Sequence, residues 1–227
     1  MRFNFFKWWK ETMTINENDV LELYIGPKEK TIPENDSMKS YVIPKKKKIK
    51  CAVVIGHKRS SQGAYNHRYN IHEFEFNEHL AIDIENKIKK NNSISLFRIY
   101  RRTYATLPND LNDLNPDFII SLHCNAFNKS ATGTEVLYYH KSNKGKQFAS
   151  ILNSHLVGAL GLHDRGIRPK SAEDRGGYLL KTVKAPCLIA EPFFIDNDDD
   201  YKLAGIDKYI KLVDAYCHAI EEISTII

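Results

Sequence analysis

No stretch of the 227 residues approaches the roughly 18–20 consecutive apolar residues that span a bilayer. The N-terminus, Met1 to Lys10, is aromatic but broken by charge, with no uninterrupted apolar core and no small-residue cleavage site, so it reads poorly as a secretory leader. Cysteine is sparse: Cys51, Cys124, Cys187 and Cys217 include no CxxC pair, which argues against a cysteine-built structural zinc site. Their scatter argues against a disulfide framework, and Cys51 and Cys187 lie in apolar runs that suit buried free thiols. No internal repeat of 20–50 residues occurs, and no heptad or glycine periodicity points to a fibre.

What is present is ordinary for a globular domain: 42% apolar and 27% charged residues, a length for one sizeable domain with at most a small appendage. The net charge is +5, and most of it sits early, with eleven Lys/Arg against seven Asp/Glu in residues 1–50. Such a balance attracts polyanions without choosing among them. The run Lys45 to Lys48 reads as a solvated linker more readily than as a binding patch.

The composition shifts near residue 50. Before it, two short strand-like stretches, 20–25 and 41–43, lie among Gly26-Pro27, Pro33, Asn35-Asp36 and Pro44. Too little apolar periodicity is present for these residues to fold alone, so 1–49 is expected to be an extension or linker and 50–227 the main domain. From residue 50, short apolar runs alternate with helical patterns. Residues 51–55, 94–99, 117–122, 133–139 and 186–190 read as strands, several of them continuous enough to be buried on both faces. Residues 73–90 (Phe76, Leu80, Ile84, Ile88), 144–160 (Phe148, Leu152, Leu156) and 206–223 read as helices, and 101–115 as a loop or short helix. The expectation is an α/β fold with a mostly parallel central sheet flanked by helices, whose function gathers at the carboxyl ends of its strands.

At those ends stand metal-competent side chains. His57 follows the first run, His123 the third and Glu191 the last, while Glu73 opens the first helix. Two histidines and a carboxylate with an open fourth position form a catalytic zinc arrangement, and a second, non-ligand carboxylate would shuttle the proton of the attacking water. Each residue alone has a bland reading: a strand-end His packs or faces solvent, and a first-turn Glu complements the helix dipole. The joint pattern is what points to chemistry. His67 lies in a loop with no strand to fix it, and Glu75 would point about 200° away from Glu73 on a helix. His140, His155 and His163 read as surface residues.

The segments around these residues carry a resemblance. Val53 to Ala64 holds a strand, Gly56-His57 and a loop ending in Gly-Ala; Glu73-Phe74-Glu75-Phe76-Asn77 begins 16 positions after His57; Ser121-Leu122-His123-Cys124-Asn125-Ala126 and Gly133-Thr134-Glu135-Val136 follow; Pro186 to Asn197 surrounds Glu191. Over residues 50–227 the chain resembles the zinc-dependent N-acetylmuramoyl-L-alanine amidases of the amidase_3 type, which include phage endolysin catalytic domains and bacterial autolysins. The resemblance implies that His57, Glu73 and His123 bind Zn²⁺, that Glu191 is the catalytic base, and that the substrate is the amide between N-acetylmuramic acid and L-alanine in peptidoglycan. Asn125 and Arg175 are expected at the substrate. Lys58-Arg59 stand where the family often has a second Gly, a departure that bears on substrate choice or metal access.

The expected setting is the bacterial cell wall, in phage lysis or wall turnover, reached without a visible leader. The chain is expected to act as a monomer, without nucleic acid and without stable membrane insertion. A zinc peptidase acting within the stem peptide and a non-catalytic wall-binding module are the rival readings. A nucleic-acid binder is suggested only by the basic pI.

Overall fold

The computed structural model describes residues 47–227, so the strand-like stretches 20–25 and 41–43 lie outside the described residues. The elements run, in order, β1 (Ile49–Ile55), β2 (Tyr65–Asn66), β3 (Ile71–His72), α1 (Glu73–Ile88), β4 (Ile94–Tyr100), α2 (Leu107–Leu114), β5 (Phe118–Leu122), β6 (Thr134–Tyr139), α3 (Asn143–Leu160), β7 (Asp164–Lys170), α4 (Gly177–Thr182), β8 (Cys187–Glu191), α5 (Asp198–Tyr201), a π-helical stretch Lys202–Asp207 and α6 (Tyr209–Thr225). β2 and β3 form a small antiparallel pair. The other six strands make one sheet in the order β4-β1-β5-β8-β6-β7. The four strands from β4 to β8 are mutually parallel; β6 lies antiparallel to β8, and β7 parallel to β6.

Side chains of a strand alternate between faces, so a continuous apolar run fills two cores at once. On one face Cys51, Val53, Ile55, Phe118, Ile120, Leu122, Leu188 and Ala190 pack with α1, α3 and α6. On the other, Ala52, Val54, Ile119, Cys187 and Ile189 meet Leu107 and Leu111 of α2 and Leu179 and Leu180 of α4. This is a mixed α/β fold with a largely parallel sheet between helices. All four cysteines are buried and free.

The helices have local causes. α1 buries Phe76, Leu80, Ile84 and Ile88 at four-residue spacing, and Glu75 accepts a bond from the His72 N–H (3.2 Å) at its start. Glu75 is therefore committed to the helix end. In α3, the Ser142 hydroxyl accepts from the Gly145 N–H, and Gly161 at φ 67° ends the helix in the left-handed region. α2 has a proline in its first turn and ends at Asn115, also left-handed (φ 49°), before Pro116.

Three differences from expectation have physical reasons. β7 was not evident in the sequence because it is an edge strand, with Ile167 as its one large apolar residue and a proline near its end. α4 was not anticipated from the sequence; its six residues are too few to show helical periodicity. The last helix begins at Tyr209 rather than Ile206, because the π-helical stretch takes up the preceding residues.

Candidate metal centre

β1, β5 and β8 are adjacent and parallel, and their ends are in register: Ile55 pairs with Leu122, and Leu122 with Ala190. The next residues on each strand therefore leave the sheet at one height. The Gly56 N–H bonds the Leu122 carbonyl (2.9 Å) and the His123 N–H bonds that of Ala190 (3.0 Å). His57 follows in the left-handed region, φ 64°, a conformation that costs a non-glycine residue about 1–3 kcal/mol. Glu73 arrives from outside the sheet, held by its N–H to the Ala64 carbonyl (2.9 Å) at the start of α1.

His57, Glu73 and His123 meet, with one ligand atom from each lying within 4.8 Å of the others. Glu73 is buried and uses both oxygens. Oε1 faces His123 Nδ1 at 2.9 Å and accepts the Cys124 N–H at 3.0 Å; Oε2 lies 3.0 Å from His57 Nε2 and accepts the Ala64 N–H at 3.2 Å. Burial pushes the Glu73 carboxyl up, but hydrogen bonding and charge from His123 and His57 outweigh it and hold the group well below the ordinary carboxylate range. His57 Nε2 is a buried polar atom with no aligned hydrogen-bond partner. Two imidazoles and an ionised carboxylate, one imidazole nitrogen close to that carboxylate but not aligned to bond it, are a donor set that fits a divalent transition metal. Backbone N–H bonds to both carboxylate oxygens fix its orientation as outer-shell contacts do in metal sites.

Two glycines are required by this packing. A Cβ on Gly56 would fall 2.4 Å from the Leu122 carbonyl oxygen and 2.7 Å from the His123 ring. One on Gly63, itself at φ +78°, would fall 2.5 Å from His57 Cδ2 and 2.6 Å from Glu73 Oε2.

Glu191, the last residue of β8, is half-buried, and its Oε2 is a second buried polar atom without a partner. Burial foremost, then the charges of Glu73 and Glu135, raise its pKa well above the ordinary value, with Arg175 and Lys170 opposing. Arg175 is exposed and near enough to act on Glu191 by charge. Asn125 is occupied elsewhere: its Nδ2 donates to Glu135 Oε1 (2.7 Å) and its Oδ1 accepts from the Ala126 N–H (3.1 Å). His67, His140 and His163 are exposed, and His155 pairs with Glu222.

Sequence reasoning passed over Glu135. It pairs across the sheet with Glu191 and gathers Asn125, Arg165 (3.0 Å) and Arg168 (3.3 Å) around its carboxylate. The signal was a carboxylate on a strand whose following residues, Val136 to Tyr139, are all apolar or aromatic. Its importance depends on β6 lying antiparallel beside β8, which no spacing discloses.

The N-acetylmuramoyl-L-alanine amidase family model matches residues 52–222. The N-acetylmuramoyl-L-alanine amidase LytC of Bacillus subtilis (strain 168) is 24% identical over 151 residues, 64% of this chain and 29% of LytC. The uncharacterized protein YqiI of the same organism is 30% identical over 108 residues, 46% of this chain and 50% of YqiI. The chain thus spans half or less of these curated relatives. Among solved structures, an N-acetylmuramoyl-L-alanine amidase from Clostridium difficile 630 superposes with a TM-score of 0.70 at 20% identity, covering 77% of this chain and 96% of that one.

Proposed function

The chain belongs to the N-acetylmuramoyl-L-alanine amidase family, and from that premise we propose that it hydrolyses the amide between N-acetylmuramic acid and L-alanine of peptidoglycan with the help of one zinc ion. The observation that carries the reading is the meeting of His57, Glu73 and His123 within 4.8 Å, with the unpartnered carboxylate oxygen of Glu191 at the end of the neighbouring strand. His57, Glu73 and His123 would hold the ion. When bound, zinc supplies Lewis acidity, polarising the substrate carbonyl and making water acidic enough to react near neutral pH.

The chain's own groups do the rest. Glu73 stays ionised and, bonded to two backbone N–H groups, keeps both imidazoles in place. Glu191 takes the proton of the attacking water and returns it to the departing amine of L-alanine. Exposed Arg175, whose charge reaches Glu191, would receive an anionic group of the substrate, and Asn125 would act indirectly by bonding Glu135, the cross-strand neighbour of Glu191. Residues 50–227 form the catalytic domain in this reading and 1–49 an extension. The protein works on the cell wall, in phage lysis or wall turnover, as a monomer that needs no nucleic acid. No helix among the described residues is long and apolar enough to cross a membrane.

Digestion of purified peptidoglycan, with mass analysis of the fragments, tests this. Zinc-loaded protein should release intact stem peptides bearing a free L-alanine amine and leave the glycan whole. A chelator should stop release, and Glu191→Ala should slow it by about 10²–10⁴-fold. Cuts inside the stem would make the chain a peptidase. No release from any wall by metal-loaded protein would leave a binding module.

A further inference from the structure

A pocket of about 320 Å³ adjoins the metal centre on the side away from Glu191, lined by His57, Lys58, Arg59, Phe74, Tyr100 and Arg101. It lies where the end of β4 meets the loop after β1, two parallel neighbours whose last residues, Ile55 and Tyr100, are paired. Its volume is enough for a short polar side chain or a phosphate group with its waters.

The pocket's charge is unbalanced. Of the arginines here, Arg59 pairs with Glu78 (2.7 Å), Arg98 with Glu85 (3.1 Å) and Arg102 with Asp110. Arg101 has no carboxylate partner among the described residues; it is half-buried, and its guanidinium sits 5.6 Å from the Tyr104 ring. Glu73 is close enough to act on Arg101 by charge, yet both its oxygens are engaged by the imidazoles and backbone. Exposed Lys58 adds a second cation without an ion pair among the described residues. Tyr104 lies 5.7 Å from Tyr178, whose hydroxyl bonds the Ala105 carbonyl (3.2 Å), so the ring against which the guanidinium rests is itself braced. Partly burying a guanidinium without its counter-charge is costly, and a planar fork with no internal partner matches an oxyanion brought by a ligand.

We propose that this pocket is an oxyanion subsite of the wall substrate, in which Arg101, assisted by Lys58, receives a carboxylate of the stem peptide or a phosphate of the wall while Phe74 and Tyr100 wall the cavity. The proposal rests on the amidase reading for the identity of the substrate. It makes Arg101 a specificity-determining residue for substrates anionic near the scissile bond.

Two arms separate the sources. In the first, N-acetylmuramoyl-L-alanyl-D-glutamate is compared with the same molecule amidated at the α-carboxyl, by cleavage with zinc-loaded enzyme and by calorimetric binding to zinc-loaded Glu191→Gln. In the second, walls are compared before and after removal of their phosphate-bearing polymers. The expected result is a preference of about tenfold or more for the anionic form in one arm, weakening with salt. The preference should collapse towards unity in Arg101→Gln and return in part in Arg101→Lys. Equal affinity and rate for charged and uncharged forms in both arms overturns the subsite while leaving the amidase reading intact. Absence of cleavage with the binding preference retained overturns the amidase reading and supports the subsite.

Discussion

The histidines and carboxylates at the strand ends are held by their neighbours more than by their own bonds. Gly63 shows this most directly. A methyl group there meets His57 and Glu73 at contact distances that real side chains do not reach, and its φ of +78° already disfavours any other residue. Gly63→Ala should weaken zinc binding at least tenfold, read by competition with a chromophoric chelator, while the far-ultraviolet spectrum stays native. Glu191 makes a second prediction in the metal-free protein. Its folded pKa is raised by burial, so between the unfolded carboxylate value and that raised value the folded state binds the extra proton. Stability must then fall as pH rises through that window and be fully present below it. Glu191→Gln removes the loss, so the metal-free variant should be more stable than wild type near neutrality, by on the order of 1 kcal/mol, with the gap closing towards pH 4. A gap that widens on acidification would show that burial does not govern this carboxyl.

Among the elements, the parallel strands β1, β5 and β8 decide where the candidate metal centre lies, because their registers bring residues 57, 123 and 191 to one edge of the sheet. Helices α1, α3 and α6 stiffen that edge from one side. α3 buries Phe148 against Phe118 of β5, ring centroids 6.0 Å apart, and depends on Ser142 for its start. Ser142→Ala should cost about 1 kcal/mol, seen as a lower urea midpoint with an unchanged slope, and should leave zinc affinity at the wild-type value because β6, antiparallel to β8, carries Ser142 to the opposite edge of the sheet from residue 191. These elements differ in how plainly they are written. Phe76, Leu80, Ile84 and Ile88 announce α1 by spacing alone, and Cys51 to Ile55 announce a strand buried twice over. β7 carries no such mark, since an edge strand exposed to solvent is free to be charged.

At the scale of the whole molecule, binding at the candidate metal centre couples folding to metal concentration. The ligands come from residues 57, 73 and 123, two different strand ends and a helix start, so the unfolded chain has no preformed site. Zinc should therefore raise the unfolding temperature, stabilising by about 2.7 kcal/mol at a free concentration one hundred times the dissociation constant. His123→Ala should lose that increment under the same titration. An equal rise in wild type and variant would place the binding elsewhere.

The sequence by itself determined the class of the fold and the identity of the chemical groups. Apolar runs and helical spacing follow from which residues water excludes, and a Gly-His or a Glu after a buried strand is visible without coordinates. Only the tertiary structure decided which groups meet. Glu135 reaches Glu191 because β6 turns antiparallel against β8, and Arg101 opens onto the pocket beside His57 because β4 pairs with β1. Pairing between strands distant in the chain is set by packing of both sheet faces at once, a property of the assembled core that no local run of residues contains.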